Sequence, residues 1–252
     1  MRKRDNMRGL ILAAGQGTRL QPLTNNLPKC LVEIAGKPIL EYQLESLDKV
    51  GIHECAVVIG FLGDKVKHLF GPRFGNLSLS YISNIHFKET NNIYSLWLAS
   101  QYMVDDIILL EGDILFESPI LEDLISNHSS NAAVVDIFQS HMDGTAVLSE
   151  NGFVSSMVLK SNQPTNFDYQ NALKTVNIYK FSKETMRTQL IPTLDEWIVQ
   201  GFTDQFYEAT IAQLIEEGSI QLAIQSSGNR IWVEIDTVAD IDRAHTAIGL
   251  IS

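Results

Sequence analysis

The feature that most constrains the fold is an alternation of short apolar segments with helix-like segments through the first half of the chain. Residues 9–14 form a continuous apolar run, as in a parallel strand buried on both faces. A helix-like segment at residues 38–50 follows, and Gly51 ends it before the next apolar segment, at residues 56–60. Repeated units of this kind form a parallel sheet with helices on both faces.

The alternation continues to about residue 130, and then the pattern changes. In the first half, the further predicted elements are helices at residues 64–70, 93–102 and 119–126 and strands at residues 77–82 and 106–111. In the second half, they are strands at residues 132–138, 145–149, 154–159, 174–181, 220–224 and 231–235 and helices at residues 183–200, 203–217 and 238–248. The predicted fold class is α/β, with a mainly parallel, Rossmann-like mixed sheet, helices on both faces and a small β/α extension. No linker divides the chain, so we predict one domain over residues 1–252, with halves at residues 7–130 and 131–252.

The ends of the predicted strands indicate where a ligand binds. In open α/β sheets, ligands lie outside the carboxyl ends of the strands. The loops after Ala14, Gly60, Glu111 and Ile235 follow four of the predicted strands. We therefore expect these four loops to converge on one cleft.

The charge balance argues against a general nucleic-acid or anionic-membrane binder. The chain has 30 acidic residues against 19 Lys and Arg residues, a formal net charge of −11. No apolar stretch reaches the roughly 18 residues that a membrane span needs, and the run after residues 1–6 is too short and glycine-rich for a signal peptide. We expect a cytoplasmic protein in which the two cysteines, Cys30 and Cys55, are reduced and partly buried thiols.

A glycine-rich loop, Gly15-Gln16-Gly17-Thr18, leaves the first predicted strand. Such loops expose backbone N–H groups that hold phosphate oxygens. Neither common phosphate motif is present. Leu20 stands where the dinucleotide motif GxGxxG needs glycine, and Pro38 stands where the Walker A motif needs serine or threonine after Gly36-Lys37. Taken alone, the loop is also compatible with a tight structural turn.

The residues after this loop extend the pattern to more than thirty positions. The run at residues 12–43, LAAGQGTRLQPLTNNLPKCLVEIAGKPILEYQ, closely resembles the signature of nucleotidyltransferases, which couple a nucleoside triphosphate to a sugar phosphate or a small phosphate alcohol and release pyrophosphate. The resemblance implies that Arg19 and Lys29 are catalytic cations that neutralise phosphate charge, with Lys37 nearby. It also implies that the triphosphate is held by Leu12, Ala13, Ala14, Gly15, Gly17 and Thr18.

Two aspartates end predicted strands at one edge of the sheet. Asp113 follows the strand at residues 106–111, and Asp236 follows the strand at residues 231–235. Carboxylate oxygens suit Mg²⁺, and the resemblance implies that these two aspartates hold that ion against phosphate oxygens. Whether Glu234 or Glu111 joins the metal site stays open at this point. Asp236 is also a good N-cap for the helix that follows it.

Residues 90–98, TNNIYSLWL, resemble the N-N-x-Y-S-L segment of the CTP:phosphocholine cytidylyltransferases and of the related cytidylyltransferases that act on 2-aminoethylphosphonate. Segments at residues 141–145 and 174–181 look closer to the phosphonate branch. The resemblance implies that Asn92 and Ser95 meet the cytosine edge, since both side chains donate and accept hydrogen bonds. Without it, Asn91 or Asn92 is as well explained as a helix N-cap.

Residues 202–208, FTDQFYE, resemble the region in which the choline enzymes place aromatic and acidic side chains around a cationic head group. An aromatic face and a carboxylate are what an ammonium group needs. Packing of the aromatic residues in the core is the alternative. The acceptor-binding residues that we predict are Glu208, Phe206, Tyr207, Trp197, Lys160 and Lys174.

These features together predict a Mg²⁺-dependent cytidylyltransferase that transfers CMP from CTP to a small phosphate or phosphonate acceptor. We expect no nucleic-acid or membrane partner and leave a homodimer open. A sugar-1-phosphate uridylyl- or thymidylyltransferase is the alternative enzyme, because it shares the features of residues 12–43. A catalytically silent nucleotide-sensing protein is the alternative from another class. Leu20 disfavours a nicotinamide-dependent oxidoreductase.

Overall fold

A computed structural model of the protein describes residues 7–139 and 141–249. Residues 1–6, which enter the expectation of no signal peptide, lie outside this part. The elements of the first half are, in chain order, β1 (Met7–Ala13), β2 (Glu33–Ile34), β3 (Lys37–Pro38), α1 (Ile39–Lys49), β4 (Glu54–Ile59), α2 (Gly63–Phe70), β5 (Arg73–Phe74), β6 (Leu77–Ser83), α3 (Asn92–Leu98), β7 (Asp106–Glu111), β8 (Ile114–Phe116) and α4 (Pro119–Ser126).

The described part of the second half adds further strands and helices, including the longest strand. In chain order they are β9 (Ala132–Ile137), β10 (Ala146–Glu150), β11 (Phe153–Val158), β12 (Leu173–Phe181), α5 (Lys183–Thr185), α6 (Ile191–Val199), α7 (Glu208–Glu216), β13 (Ala223–Ser226), β14 (Trp232–Glu234) and α8 (Val238–Gly249). A π-helical turn, Met186–Leu190, joins α5 to α6.

Strands from both halves form one mixed sheet in the order β10-β11-β13-β9-β12-β7-β1-β4-β6-β5. The strands β7, β1, β4 and β6 are mutually parallel, as predicted, whereas β12 pairs antiparallel with β7 and most pairings of the second half are antiparallel. The chain places β4 and β6 on one side of β1 and then returns to place β7 on the other side. The strand order therefore reverses between β1 and β7, which is where an open α/β sheet binds its ligand.

Alternate residues of β1 enter two different cores. Ile11 packs in a buried cluster with Leu44 of α1 and Leu121 of α4, whereas Leu10 packs in a second cluster with Leu96 of α3 and Ile211 of α7. Successive side chains of a strand point to opposite faces, so a strand covered on both faces is apolar throughout. The predicted helices on both faces of the sheet are confirmed.

Tertiary contacts move two of the predicted boundaries. The helix predicted at residues 203–217 begins only at Glu208, because the carbonyl of Thr203 accepts the Asn91 N–H at 2.9 Å and holds the preceding segment outside the helix. The strand predicted at residues 220–224 lies instead at Ala223–Ser226, where it pairs with β9. In both cases hydrogen bonds to a distant segment decide the boundary.

Both cysteines are buried free thiols, and burial raises the pKa of Cys30 to about 12. These are the properties of unreactive core residues. Across residues 7–139 and 141–249, no helix is long and apolar enough to cross a membrane.

Gln43 attaches α1 to the end of β7. Its side chain is fully buried, and its Nε2 donates to the carbonyl oxygens of Glu111 at 2.7 Å and Ile114 at 2.8 Å. The turn between these two residues contains Gly112, where a Cβ would lie 2.7 Å from the Cβ of Ala13. The turn that carries Asp113 is thus held by α1 on one side and β1 on the other.

We predict that Gln43→Leu lowers the free energy of unfolding by roughly 1–3 kcal/mol, because buried carbonyl oxygens lose their donor. Urea denaturation measures this change. Gln221→Leu, at an exposed position, is the matched control. Equal midpoints for the two variants would contradict the role of Gln43.

Candidate active site

A cleft of about 320 Å³ lies at the carboxyl ends of β1 and β7, where the strand order reverses. The loops after Ala14, Glu111 and Ile235 contribute to it, as expected. The expectation for the loop after Gly60 was wrong, since that loop lines a neighbouring cavity and residues 84–92 take its place. The predicted site residues that line the cleft are Leu12, Ala14, Gly15, Gly17, Thr18, Arg19, Lys29, Asn92, Ser95, Asp113, Phe206 and Asp236, together with Glu111 and Glu234. Ala13 faces the core on the other side of β1.

The glycine-rich loop is shaped around the side chain of Lys29. Gly17 has a φ of +68°, and a Cβ on it would lie 2.9 Å from the Cβ of Lys29. The Thr24 hydroxyl donates to the Gly17 carbonyl at 2.7 Å and fixes the turn. Glycine is required here because a side chain would strain the backbone and displace the lysine.

Lys29 bridges the two aspartates that were predicted to hold a metal. Its ammonium group lies 2.6 Å from Asp113 Oδ2 and 2.6 Å from Asp236 Oδ1. Arg19 approaches Asp236 Oδ1 at 2.7 Å from the solvent side. The network joins the glycine-rich loop, the turn after β7 and the segment after β14.

Burial and neighbouring charges have opposite effects on the pKa values of Lys29 and Asp236. Burial alone would lower the pKa of Lys29, but Asp113 and Asp236 outweigh it and raise the pKa well above its ordinary value. Burial alone would raise the pKa of Asp236, but the charges and hydrogen bonds of Lys29 and Arg19 lower it. The lysine and this aspartate are therefore both charged at neutral pH.

Asp113 and Asp236 have carboxylate oxygen atoms that could bind a metal ion. Asp113 Oδ1 is buried and has no hydrogen-bond partner. The helix-capping role belongs to Asp240 instead, whose Oδ2 accepts the N–H groups of Asp236 at 3.1 Å and Thr237 at 2.6 Å. Asp236 is thus free to face the cleft. Within the part of the chain that the structure describes, no three His, Cys, Asp or Glu residues form a metal-binding group.

Asn92 and Ser95 line the cleft but use their polar atoms within the protein. The Asn92 amide donates to Glu111 Oε1 at 3.0 Å and accepts the Tyr207 N–H at 2.9 Å. Ser95 is buried, and its hydroxyl accepts from Asn84 at 3.1 Å. The capping function falls to Asn91, whose side chain accepts the Asn92 N–H at 2.8 Å.

The structure brings only one of the predicted acceptor-binding aromatic residues to the cleft. Phe206 lines it and is half exposed. Tyr207 is fully buried, with its ring 5.9 Å from that of Tyr179. Trp197 instead donates to Gln213 at 2.7 Å, and it does not line the cleft.

The two predicted acceptor-binding lysines also lie outside the cleft lining. Lys160 is exposed and pairs with Asp143 at 2.9 Å. Lys174 is buried and lies 3.1 Å from Glu234 Oε2. The buried lysine therefore acts on the cleft through the carboxylate of Glu234.

Sequence reasoning missed Asn84 and Asn177. Asn84, directly after β6, donates to Ser95 and Thr90 and lines the cleft. Asn177 interrupts β12 with a φ of +59° and donates to Glu234 Oε1 at 3.4 Å. The position of Asn84 at a strand end was a usable signal, whereas nothing in the sequence marks the bend at Asn177.

Glu208 and Glu111 are carboxyl groups in an unfavourable environment for charge. Burial raises the pKa of Glu208 to about 7, although Lys174 opposes the change. Burial, followed by the charges of Glu208, Asp113 and Glu234, raises the pKa of Glu111 well above its ordinary value. In the free protein, the pair therefore binds protons at a pH where ordinary carboxyl groups have lost them.

A family model for nucleotidyl transferases matches residues 8–248, almost the whole chain. The chain belongs to the nucleotidyl transferase family. The resemblance found in the glycine-rich segment is thus confirmed over the full fold.

Curated relatives of this nucleotidyltransferase include two with cytidylyl chemistry in their names. The CMP-5'-(3-aminopropyl)phosphonate synthase of Streptomyces rubellomurinus is 30% identical over 93% of this chain, which spans 37% of that protein. The CTP:phosphoglutamine cytidylyltransferase of Campylobacter jejuni is 28% identical over 94% of this chain, which spans 98% of that protein.

Solved structures show the same fold with different substrates. The CTP:phosphocholine cytidylyltransferase of Streptococcus pneumoniae matches with a TM-score of 0.76 at 22% identity, over 96% of this chain and 99% of that one. A UDP-glucose pyrophosphorylase matches with a TM-score of 0.79 at 16% identity, over 98% of this chain and 100% of that one. The likeness of fold therefore does not distinguish the nucleotides.

We predict that Glu208 makes folding stability fall as the pH rises from about 4.5 to about 7. Over this range the unfolded chain has already lost the proton that the folded protein keeps on this carboxyl group. In Glu208→Gln, the fall in the free energy of unfolding over this pH range should be smaller by roughly 1–3 kcal/mol. Urea denaturation at several pH values measures it, with the exposed Glu216→Gln on the same helix as control. If the free energy of unfolding depended on pH as strongly in Glu208→Gln as in wild type, a raised pKa of Glu208 would be contradicted.

Proposed function

We propose that this nucleotidyltransferase transfers CMP from CTP to a small acceptor that carries a phosphate or phosphonate group, and that it releases pyrophosphate. The observation that carries the proposal is the network in which Lys29 bridges Asp113 and Asp236 beside the glycine-rich loop. The names of the two cytidylyl relatives support CTP and a phosphate or phosphonate acceptor. The intact network also argues against a catalytically silent nucleotide sensor.

The glycine-rich loop would receive the triphosphate. Gly15 and Gly17 line the cleft and offer backbone N–H groups, which bind phosphate oxygens well. Arg19 lies at the exposed side of the network, where its guanidinium can pair with two phosphate oxygens at once. Lys29 lies deeper and supplies a positive charge that burial protects from screening.

The aspartates fit Mg²⁺ as the ion of this site. Mg²⁺ usually binds to one or two carboxylates and completes its shell with water and substrate phosphates. Asp113 Oδ1 is buried without a partner, so this atom has capacity for a cation. When bound, the ion would neutralise phosphate charge and favour attack on the α-phosphorus. Asp113 and Asp236 would hold it, while Lys29 keeps the two carboxylates close together.

The reaction needs little proton transfer from the protein. An acceptor phosphate or phosphonate oxygen is already anionic, so it can attack the α-phosphorus of CTP directly while pyrophosphate leaves. Positioning and charge neutralisation by Arg19 and Lys29 supply the protein's share of catalysis. Location in the cytoplasm and a homodimer remain predictions.

The decisive experiment is pyrophosphate release with four nucleoside triphosphates crossed against phosphocholine, 2-aminoethylphosphonate, amino-acid phosphates and sugar 1-phosphates. We expect CTP to be preferred. A base site that pairs with the exocyclic amine of cytosine leaves a buried polar group unpaired when uracil, with a carbonyl oxygen at that position, binds instead, and this costs about 1–3 kcal/mol. Equal or better use of UTP or dTTP with a sugar 1-phosphate would establish the alternative enzyme and overturn the proposal.

We predict that Asp113→Asn and Asp236→Asn each abolish most turnover without unfolding the protein. An amide keeps the shape of the carboxylate but loses the charge that holds Mg²⁺. Steady-state kinetics over a Mg²⁺ titration, with circular dichroism to confirm folding, measures the effect. Near wild-type turnover of either variant at saturating Mg²⁺ would show that its carboxylate is not a metal ligand.

We predict that Arg19→Ala lowers kcat/KM by on the order of 100-fold, as loss of about 3 kcal/mol of transition-state stabilisation would give. Arg19→Lys should restore only part of the rate, because a point charge cannot reproduce a bidentate guanidinium on phosphate. Initial rates at varied CTP concentration test both variants. Full restoration by lysine would mean that charge alone matters at this position.

A further inference from the structure

Asp240, in the first turn of α8, does not line the cleft but is bonded to the backbone of Asp236, which does. It is buried, with 6% of its surface exposed. Its Oδ2 accepts three hydrogen bonds, from the backbone N–H of Asp236 at 3.1 Å, the backbone N–H of Thr237 at 2.6 Å and the Thr237 hydroxyl at 2.7 Å. Its Oδ1 accepts from the guanidinium of Arg243. Both carboxylate oxygens are therefore committed, and the side chain is fixed in one orientation.

This arrangement decides which residue caps α8. In a capping box, an acidic side chain three residues after the N-cap residue accepts the N–H of that residue. Thr237, directly before the first residue of α8, and Asp240 have this spacing, and the Thr237 carbonyl accepts the Asp240 N–H at 3.0 Å. Thr237 is thus the N-cap residue, and Asp236 lies one position outside the helix.

The position outside the helix leaves the Asp236 carboxylate available to the cleft. An aspartate at an N-cap turns its side chain back onto the N–H groups of the first helical turn. Asp236 instead directs its Oδ1 to Lys29 at 2.6 Å and to Arg19 at 2.7 Å. The cap made by Asp240 is therefore a condition for the ion network of the cleft.

Asp240 also restricts the backbone of Asp236. The N–H groups of Asp236 and Thr237 belong to the two planar peptide groups that flank the Cα of Asp236. Because one carboxylate oxygen holds both N–H groups, rotation about this Cα is limited and the direction of its Cβ is fixed. The peptide group before them is held as well, since the Ile235 N–H donates to the Asp113 carbonyl at 3.0 Å.

The helix that carries Asp240 is anchored close to the glycine-rich loop. Ile241 and Ala244 of α8 lie in a buried cluster with Ile235 and with Leu20, the residue after Arg19. Packing of this cluster sets the place of Asp240 relative to the cleft. The hydrogen bonds of Asp240 then pass this placement on to Asp236.

We propose that Asp240 is a positioning residue for nucleotidyl transfer: it sets the direction of the Asp236 carboxylate and thereby the strength with which that carboxylate holds Mg²⁺. The inference rests on the proposed function for the metal role of Asp236, but not on the choice of CTP as the nucleotide. Asp240 acts through Asp236 and has no contact of its own with the metal or the substrate.

Thermal unfolding with CTP and without acceptor tests this role, because it needs no turnover. A bound nucleotide raises Tm, and the rise with CTP and Mg²⁺ minus the rise with CTP and EDTA is the part that depends on Mg²⁺. We expect Asp240→Ala to need roughly 10- to 100-fold more Mg²⁺ for half of this part, as loss of a group that supports a metal ligand causes. Asp240→Asn keeps an acceptor oxygen, so its Mg²⁺ requirement should lie between those of Asp240→Ala and wild type.

The same variants give a kinetic readout. At a fixed low Mg²⁺ concentration, kcat with CTP should fall roughly 10-fold or more in Asp240→Ala, and added Mg²⁺ should restore part of it. Ala244→Gly is the matched control, because glycine weakens the interior of the same helix. It should lower Tm in the absence of ligand but need no more Mg²⁺ than wild type.

Three results would overturn the inference. The first is a Mg²⁺ requirement of Asp240→Ala equal to that of wild type. The second is an equal increase in Ala244→Gly, which would show that only the stability of α8 matters. The third is an Asp240→Asn variant as impaired as Asp240→Ala, which would show that the acceptor oxygen is not what counts.

Failure of the proposed function has different signs. If UTP or dTTP, but not CTP, raised Tm in a Mg²⁺-dependent way, the choice of CTP would be overturned, and the same variants would test Asp240 with that nucleotide. If the Mg²⁺-dependent rise persisted unchanged in Asp236→Asn, the metal role of Asp236 would be overturned and this inference with it.

Discussion

The ion bridge from Lys29 to Asp113 and Asp236 is the interaction on which the site depends. Its three residues come from the glycine-rich segment, the turn after β7 and the segment after β14, so a single ammonium group joins both halves of the chain. Such a buried network is costly if any member is removed, because the remaining charge is left unpaired. The strands β1 and β7 are adjacent and parallel, so the glycine-rich loop and the turn that carries Asp113 leave the same edge of the sheet.

The chain is acidic overall, but positive side chains gather in the cleft. An acidic composition is therefore compatible with a polyanionic substrate. We propose that Lys29 and Arg19 face the phosphates. In the structure Lys29 pairs with Asp113 and Asp236, and Arg19 pairs with Asp236. Glu111 also lines the cleft, but burial raises its pKa, so it holds its proton more tightly than an ordinary carboxyl group does.

The sequence predicted the parallel half of the fold well, because strands buried on both faces are continuously apolar and the helices between them have clear ends. The family resemblance and the positions of strand ends together placed Arg19, Lys29, Asp113 and Asp236 in one cleft, although Asp236 follows β14, which pairs with β8 outside the main sheet. The sequence could not predict that Trp197 packs on Gln213 or that Tyr207 is buried. Those outcomes depend on contacts between segments far apart in the chain, which local patterns do not encode.

Replacement of Lys29 by methionine, with Lys37→Met as control, tests whether the activity depends on the Lys29 ammonium group. Methionine keeps the apolar stem beside Gly17 but removes the ammonium group, whereas Lys37 pairs with Glu45 and does not line the cleft. We predict that kcat/KM for CTP at saturating Mg²⁺ falls on the order of 100-fold for Lys29→Met and stays near wild type for Lys37→Met. A folded Lys29→Met variant with near wild-type kcat/KM would contradict it.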